Sequence, residues 1–359
     1  MTDSTSSEVL GERLLGALLA AAELLTVELG RELGLYRTLR GRALTAGELA
    51  ETAGVDRRYA REWLEQQAAA GILAVASPSA SPDDRSFTLP EPAAAVLLDE
   101  GGPSYLGTAG QFVLGLGLLT PSVVEAFRTG LGVSYADYGV HMRHGIAAFN
   151  RPMFTHQLTN EWLPAVPEID ARLRATPAAR VLDLGCGLGH SCVALALAYP
   201  SITVRGLDLD EASIAEARRV AADAGVADRV SFAVADAATL TDADPVDLVT
   251  IFEALHDMAD PVAVLASARA RLAGGGSVFV GDERVADEFS APADEVERLQ
   301  YAFSVLHCLP ATRAESSAVA NGTVLRAPTL IGWAAAAGFA RPEVLDIPND
   351  FWRFYRLHD

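Results

Sequence analysis

The stretch Arg180-Val-Leu-Asp183-Leu-Gly185-Cys186-Gly187-Leu-Gly189-His190 decides the fold. It begins as an apolar strand, opens into three alternate glycines and runs on into a helix spanning Ser191 to Ala198. A strand that turns through glycines into a helix lets the backbone bend sharply and come close to a ligand. A Gly-x-Gly-x-x-Gly dinucleotide loop would need glycine at position 190, which is histidine here. After Arg180 strands and helices alternate, which predicts a doubly wound α/β domain. Val204-Arg-Gly-Leu-Asp208 ends in an acid 19 residues after Gly189, and Val230-Ser-Phe-Ala-Val-Ala-Asp236 ends in another.

An acid after the second strand suits ribose hydroxyls, and an acid after the third suits an adenine amino group. With the Gly185, Gly187, Gly189 spacing they favour S-adenosylmethionine over a dinucleotide. Taken together, these three strands resemble the class I methyltransferase domain. The resemblance implies a Rossmann-like sheet of seven strands with an antiparallel last strand. Ser277 to Gly281 is then strand five, and Glu343 to Ile347 with Trp352 to Arg356 the closing hairpin. It also implies cofactor contacts from Asp183, Gly185, Gly187, Gly189, Asp208, Leu209, Asp236, Ala237 and Phe252.

Upstream, leucines at helical spacing predict one long amphipathic helix from Val9 to Leu39. Thr45 to Glu48 reads as a capping box, and a second helix is expected from Asp56 to Ala70 after the break at Gly54. Gly71-Ile-Leu73 and Ser86 to Leu89 complete a winged helix-turn-helix pattern, with Ser77 to Asp84 as the wing tip. Residues 1–100 carry 9 Arg against 16 Asp and Glu, a poor footprint for phosphate, so a dimerisation and lid module is favoured over DNA binding. The expected organisation is 1–103 winged helix, 104–175 helical linker lining the site, and 176–359 methyltransferase domain.

The 359 residues have a formal net charge of −19 and no Lys, which argues against nucleic acid and anionic membranes as partners. Three cysteines are too few for a disulfide framework. Met1 to Ser7 lacks a basic n-region, and Glu23 and Glu28 interrupt the apolar run from Leu14 to Leu29. A cytoplasmic homodimer joined through the N-terminal domain is expected.

Strand four, Asp247 to Glu253, runs into Ala-Leu-His256-Asp257-Met. Its carboxyl end is a topological switch point, where open α/β sheets bind ligands. His307 is a polar residue in the otherwise apolar Tyr301 to Leu309 segment. His256, Asp257 and His307 supply the ligand set of a facial triad for Zn or Fe. Alone, His256 reads equally well as a helix-entry residue and Asp257 as a cap.

From Arg61 to Gly71, Leu255 to Met258 and Ser304 to Pro310, the chain is similar to α-keto acid C-methyltransferases of peptide-antibiotic pathways. That resemblance implies a divalent or ferric ion on His256, Asp257 and His307. It implies that this metal chelates a small 2-oxo acid so that its β-carbon can be methylated. Arg143 is the candidate for the substrate carboxylate, and Tyr138, His141 and His144 for proton removal or closure. Glu253 is expected to point into the substrate pocket. Two alternatives remain open: a metal-free O- or N-methyltransferase of an aromatic metabolite with His256 or His307 as base, and a transcriptional regulator that senses S-adenosylmethionine.

Overall fold

The computed structural model describes residues 6–78, 81–240, 244–316 and 319–359. It divides into two compact units, Met1–Gly117 with Val140–Pro152, and Leu118–Gly139 with Met153–Asp359. The segment 104–175, expected as a helical linker, contributes residues to both units. The chain passes between units at Gly117, Gly139 and Pro152. Residues 130 and 133 hydrogen-bond to Arg313 and Pro310 and so belong to the second unit.

In the first unit the long N-terminal helix is interrupted. α1 (Ser7–Glu32) ends before Gly34, whose left-handed φ of 67° separates it from α2 (Leu35–Leu39). β1 (Ala43–Thr45) leads into α3 (Ala46–Ala53), where Thr45 and Glu48 form the expected capping box. α4 (Arg57–Ala69) starts on Asp56, whose side chain accepts from the Arg58 and Tyr59 amides. β2 (Ala74–Val75) and β3 (Ser86–Thr88) complete a small sheet in the order β1-β3-β2, followed by α5 (Glu91–Leu98). Ser79 and Ala80, at the expected wing tip, lie outside the described residues.

Tyr36, Leu39, Leu49, Trp63, Leu64 and Phe87 fill this unit's core, and Trp63 Nε1 donates to the Thr26 carbonyl at 3.1 Å. The amino-terminal half of α1 is left uncovered, with Leu14, Leu15, Leu18 and Leu19 all 58–67% exposed. The arginines of α4 are answered by acids: Arg57 and Arg61 approach Asp83 at 3.3 and 3.6 Å, and Arg58 pairs with Glu62.

Two helices carry residues of both units, α6 (Ala109–Thr129) and α7 (Tyr135–Met153). α6 is the one described helix long and apolar enough to cross a membrane, though Pro121 lies within it. A π-helical stretch, Phe154–Trp162, and α8 (Pro167–Arg174) precede the large sheet of the second unit.

That sheet comprises β4 (Arg180–Leu184), β5 (Thr203–Asp208), β6 (Val230–Val234), β7 (Val246–Phe252), β8 (Leu272–Glu283), β9 (Arg341–Leu345) and β10 (Trp352–His358). Their order is β6-β5-β4-β7-β8-β10-β9, and β10 runs antiparallel to both neighbours. Parallel neighbours are joined by α9 (His190–Ala198), α10 (Glu211–Asp223) and α11 (Pro261–Arg271), with α12 (Glu295–Phe303), α13 (Leu309–Glu315) and α14 (Ala327–Ala336) following β8. This is the Rossmann-like architecture expected.

The strand period of two sends alternate residues to two separate cores. Val181, Val204, Leu248 and Phe279 face one, and Leu182, Leu207, Val249 and Val280 the other. The first core is aromatic: Trp162 lies 4.7 Å from Phe354, and Phe252 stacks on Trp352 at 6.1 Å between centroids.

Candidate active site at the carboxyl edge of the sheet

β4 ends in the glycine loop. The Gly185 and Cys186 amides both donate to the Leu207 carbonyl, at 2.8 and 3.0 Å, folding the loop over the end of β5. Gly185 has φ 71°, and a Cβ there would fall 2.5 Å from the Ala254 Cβ, so the loop lies directly against the segment after β7. Gly187 has φ 49°, yet a Cβ there would meet nothing within 4 Å. The middle of the loop thus fronts open space, where a ligand can approach the backbone.

Asp208 is fixed at the loop's mouth, accepting from the Gly187 amide at 2.8 Å and the Asp210 amide at 2.9 Å. Each carboxylate oxygen retains acceptor capacity for ribose hydroxyls. Leu209 beside it is 54% exposed, an apolar surface next to an acid. Asp236 is exposed after β6 and caps the turn through Ala238, one residue past Ala237.

Two expected cofactor contacts are placed elsewhere. Asp183 is buried under the loop and accepts from Ser191 Oγ at 2.5 Å, Thr250 Oγ1 at 2.6 Å and Cys192 Sγ at 3.2 Å. It ties β4 to α9 and β7, and burial raises its pKa despite these donors. Phe252 packs in the aromatic core, its ring taken up by Phe154, Trp162, Phe279 and Trp352.

β7 leads into a single 3₁₀ turn, Leu255–Asp257. Glu253 precedes it with φ 50°, unusual for a residue with a side chain. Its amide donates to the Gly281 carbonyl at 2.8 Å, and its carboxyl group hydrogen-bonds Glu283. Glu283 is buried and also takes a hydrogen bond from the Gln300 amide. Burial first, and the Glu253 charge second, push its pKa well above the usual carboxylate range.

The turn buries His256 and sets its Nδ1 2.8 Å from Oδ1 of Asp282, itself buried at the end of β8. With Nδ1–H donating to that carboxylate, Nε2 is the basic position, and a hydrogen bond with Cys308 adds to the basicity of the ring. Nε2 lies 3.4 Å from Asp257 Oδ1, close enough to sense its charge but misaligned for a hydrogen bond. Burial disfavours the imidazolium, but Asp282 and Asp257 outweigh it and raise the His256 pKa well above its ordinary value.

After α12 the chain makes a π-helical turn, Ser304–Cys308, and both His307 and Cys308 are buried there. Such turns insert an extra residue into a helix and recur at functional sites. His307 lies edge-on to Tyr138, with ring centroids 4.4 Å apart, and its Nδ1 is 3.3 Å from Cys308 Sγ. Burial lowers the His307 pKa and, with Asp257 adding to it, pushes the Cys308 thiol up to about 12.

Among the described residues, the donor atoms gathered within 4.8 Å of one another belong to His256, Asp257 and Cys308. The expected set of His256, Asp257 and His307 is thus not the one assembled: the π turn carries the neighbouring sulfur to that place. Tyr138 does not stand ready to remove a proton either, since its hydroxyl donates to the Leu306 carbonyl at 2.7 Å and burial raises its pKa. Arg143, His141 and His144 belong to the first unit. Arg143 is buried there and His144 partly so.

Asp282, Cys308 and Glu283 were missed by sequence reasoning. The available signal was Gly281-Asp282-Glu283 at the end of the strand next to β7, since adjacent parallel strands bring their carboxyl ends together.

Residues 175–319 match the family described as a methyltransferase domain, and residues 20–98 a Rv2258c-like winged HTH domain. Among curated proteins the chain is similar to 27-O-demethylrifamycin SV methyltransferase of Amycolatopsis mediterranei, 38% identical over 104 residues, which is 29% of this chain and 38% of that enzyme. The chain thus spans well under two thirds of that relative's length. Among solved structures, an O-methyltransferase family protein from Burkholderia thailandensis superposes with a TM-score of 0.68 at 19% identity, covering 98% of each chain. Human N-acetylserotonin methyltransferase, solved with SAM, gives 0.66 at 16% identity, covering 100% of this chain and 99% of that one. Identities this low establish the fold: the chain joins a winged helix-turn-helix domain to a Rossmann-like methyltransferase domain.

Proposed function

We propose that this protein transfers a methyl group from S-adenosylmethionine to a hydroxyl oxygen of a small metabolite, with His256 as general base. The observation that carries the reading is the buried His256–Asp282 pair, 2.8 Å apart, in the segment against which the glycine loop packs. S-adenosylmethionine supplies an electrophilic methyl group on its sulfonium. The open backbone at Gly187 and the carboxylates of Asp208 and Asp236 fit its ribose and adenine, with Leu209 as an apolar platform.

On this reading the chain's own residues do the proton chemistry. Asp282 fixes the His256 tautomer and raises its basicity, so that Nε2 can take the proton of an aromatic hydroxyl, whose pKa is about 10. An oxygen acceptor needs only this base. The relatives named as O-methyltransferases support the same choice over carbon methylation. The test is methyl transfer to a panel of hydroxyarenes. His256→Ala should lower kcat by roughly 10²–10⁴ while S-adenosylhomocysteine still binds, and an undiminished rate would sink the reading.

A second reading rests on the imidazole, carboxylate and thiol gathered within 4.8 Å. This donor set suits Zn or Fe, with His256 Nδ1 oriented from behind by Asp282. Such an ion would act as a Lewis acid on a 2-oxo acid and occupy the nitrogen that the first reading needs as base. Stoichiometric metal in protein purified without a tag, with activity lost to chelators, would favour it. The regulator reading is the weakest, because the α4 arginines are already engaged by Asp83 and Glu62.

A further inference from the structure

One face of the large sheet is thinly covered. α9 and α10 pack on the aromatic core through Leu195, Ile214 and Ala217, and α11 and α14 on the other core through Val264, Leu265 and Leu330. Between β6 and β7 the described residues form only a 3₁₀ turn, Ala237–Thr239. Thr203, Arg205 and Ser231 are exposed on β5 and β6, although β5 is an interior strand.

A cavity of about 460 Å³ lies there, within the roughly 300–1,000 Å³ of small-molecule sites. Its lining includes Arg180, Thr203, Val230 and Val246, the first residues of β4, β5, β6 and β7, so it sits at the amino ends of the parallel strands. The glycine loop leaves the opposite end of β4, about 16 Å along the strand. The two places are separate, and one ligand can occupy each.

The cavity's charge opposes that of the chain, which has 28 Arg against 47 Asp and Glu. Among the described residues, Arg180, Arg205, Arg229 and Arg271 line it against Asp228 and Asp244. Those two acids are 75% and 88% exposed, so their pairs with Arg229 at 3.2 Å and Arg180 at 3.5 Å contribute little. A guanidinium has five N–H donors, so neither pair exhausts its arginine. Like charges gathered around a concavity repel one another and focus their field on an incoming anion, which offsets that repulsion. Leu182, Leu207 and Leu240 add an apolar wall.

We propose that this cavity is a second ligand site, which takes a nucleoside diphosphate. A guanidinium fork holds two phosphate oxygens at once. Two forks therefore engage the terminal oxygens of one phosphoryl group, and four arginines match two such groups. The leucines take the flat, weakly polar base. The inference is independent of which atom the enzyme methylates.

The test titrates the full chain calorimetrically with guanosine diphosphate, guanosine and pyrophosphate, with and without saturating S-adenosylhomocysteine. Guanosine diphosphate should bind at least about tenfold more tightly than either fragment, and equally well in both conditions. Arg205→Ala and Arg271→Ala should each weaken it at least about tenfold, and Arg205→Lys, which keeps the charge but loses the fork, should recover part of the affinity. S-adenosylhomocysteine affinity should be unchanged in every variant, which reports that each one folds. No binding of the diphosphate overturns the inference, as does binding that guanosine or pyrophosphate equals. Affinity that survives both alanine variants also overturns it. So does displacement by S-adenosylhomocysteine, since the nucleotide would then lie in the methyl donor's place.

Discussion

Replacing Asp282 by Asn removes one charge at 2.8 Å from His256 Nδ1 while keeping the side chain's shape. Both partners are buried, at 2% and 1% exposure, so solvent does little to screen the pair. A hydrogen bond to a charged group contributes about 1.5–3 kcal/mol, and one pKa unit corresponds to 1.36 kcal/mol. The variant should therefore lower the His256 pKa by about 1–2 units. Because only neutral His256 accepts a proton, the wild-type rate should rise with pH on the alkaline side of the ordinary histidine range. In Asp282→Asn that rising limb should move down by about 1–2 units. The plateau should fall roughly tenfold or more, since the weaker base has also lost the partner that fixed its tautomer.

Stability gives an independent readout of the same pair. A histidine whose native pKa is raised contributes stabilisation that is complete below its unfolded value of about 6.5 and is lost as pH rises through the native value. The melting-temperature gap between wild type and Asp282→Asn should thus be largest at or below that pH, about 3–12 °C for a domain of this size. It should close as the solution becomes alkaline. An unmoved rate limb together with a gap independent of pH would refute the assignment of His256 and Asp282 as base and partner.

Two further outcomes are expected. Glu283 has a raised native pKa, so its contribution is complete below about 4.3 and is lost as pH rises through the native value. Glu283→Gln should flatten the decline of thermal stability at higher pH, and a variant with the wild-type pH profile would contradict this. We also propose that a second copy of the chain covers the exposed leucines of α1, each able to contribute about 1.5–3 kcal/mol when buried. Leu14→Glu with Leu18→Glu should convert a dimer to a monomer by light scattering, whereas an unchanged mass would remove α1 from the interface.

The Rossmann half was legible because its signals are local. A strand, three glycines and two strand-end acids lie in order along the chain, and the sheet order follows from the right-handed crossovers between parallel strands. The winged helix was legible through Thr45, Glu48 and Gly54, whose caps act within a few residues. Gly34 was passed over because leucine spacing continues on either side of it, and periodicity alone does not register a left-handed residue.

The site was legible at His256, which follows directly from the end of β7. Its partners were not, because each depends on geometry that spacing does not encode. Asp282 meets His256 through the pairing of β7 with β8, in which Phe252 stands beside Gly281. Cys308 takes the place expected of His307 because the helix there adopts a π turn, which rotates successive side chains differently from an α-helix. Asp183 and Phe252 looked like ligand contacts from their positions, but three hydroxyl and thiol donors claim one and an aromatic cluster claims the other.

The placement of β10 bears on how this protein becomes competent. It follows β9 in sequence yet lies between β8 and β9, and among the described residues it is β9's only neighbour in the sheet. Among the described residues, β8 therefore has a bare edge and β9 no sheet partner until residues 352–358 dock between them. The same register sets Arg353 opposite Asp282 and Trp352 opposite Glu283. The strand that brings the base its partner is thus buttressed by the segment of the sheet that comes last in the chain. Closing that gap is a non-local pairing of the slow kind. Until it closes, the carboxylate that positions His256 sits on an edge strand open to intermolecular pairing.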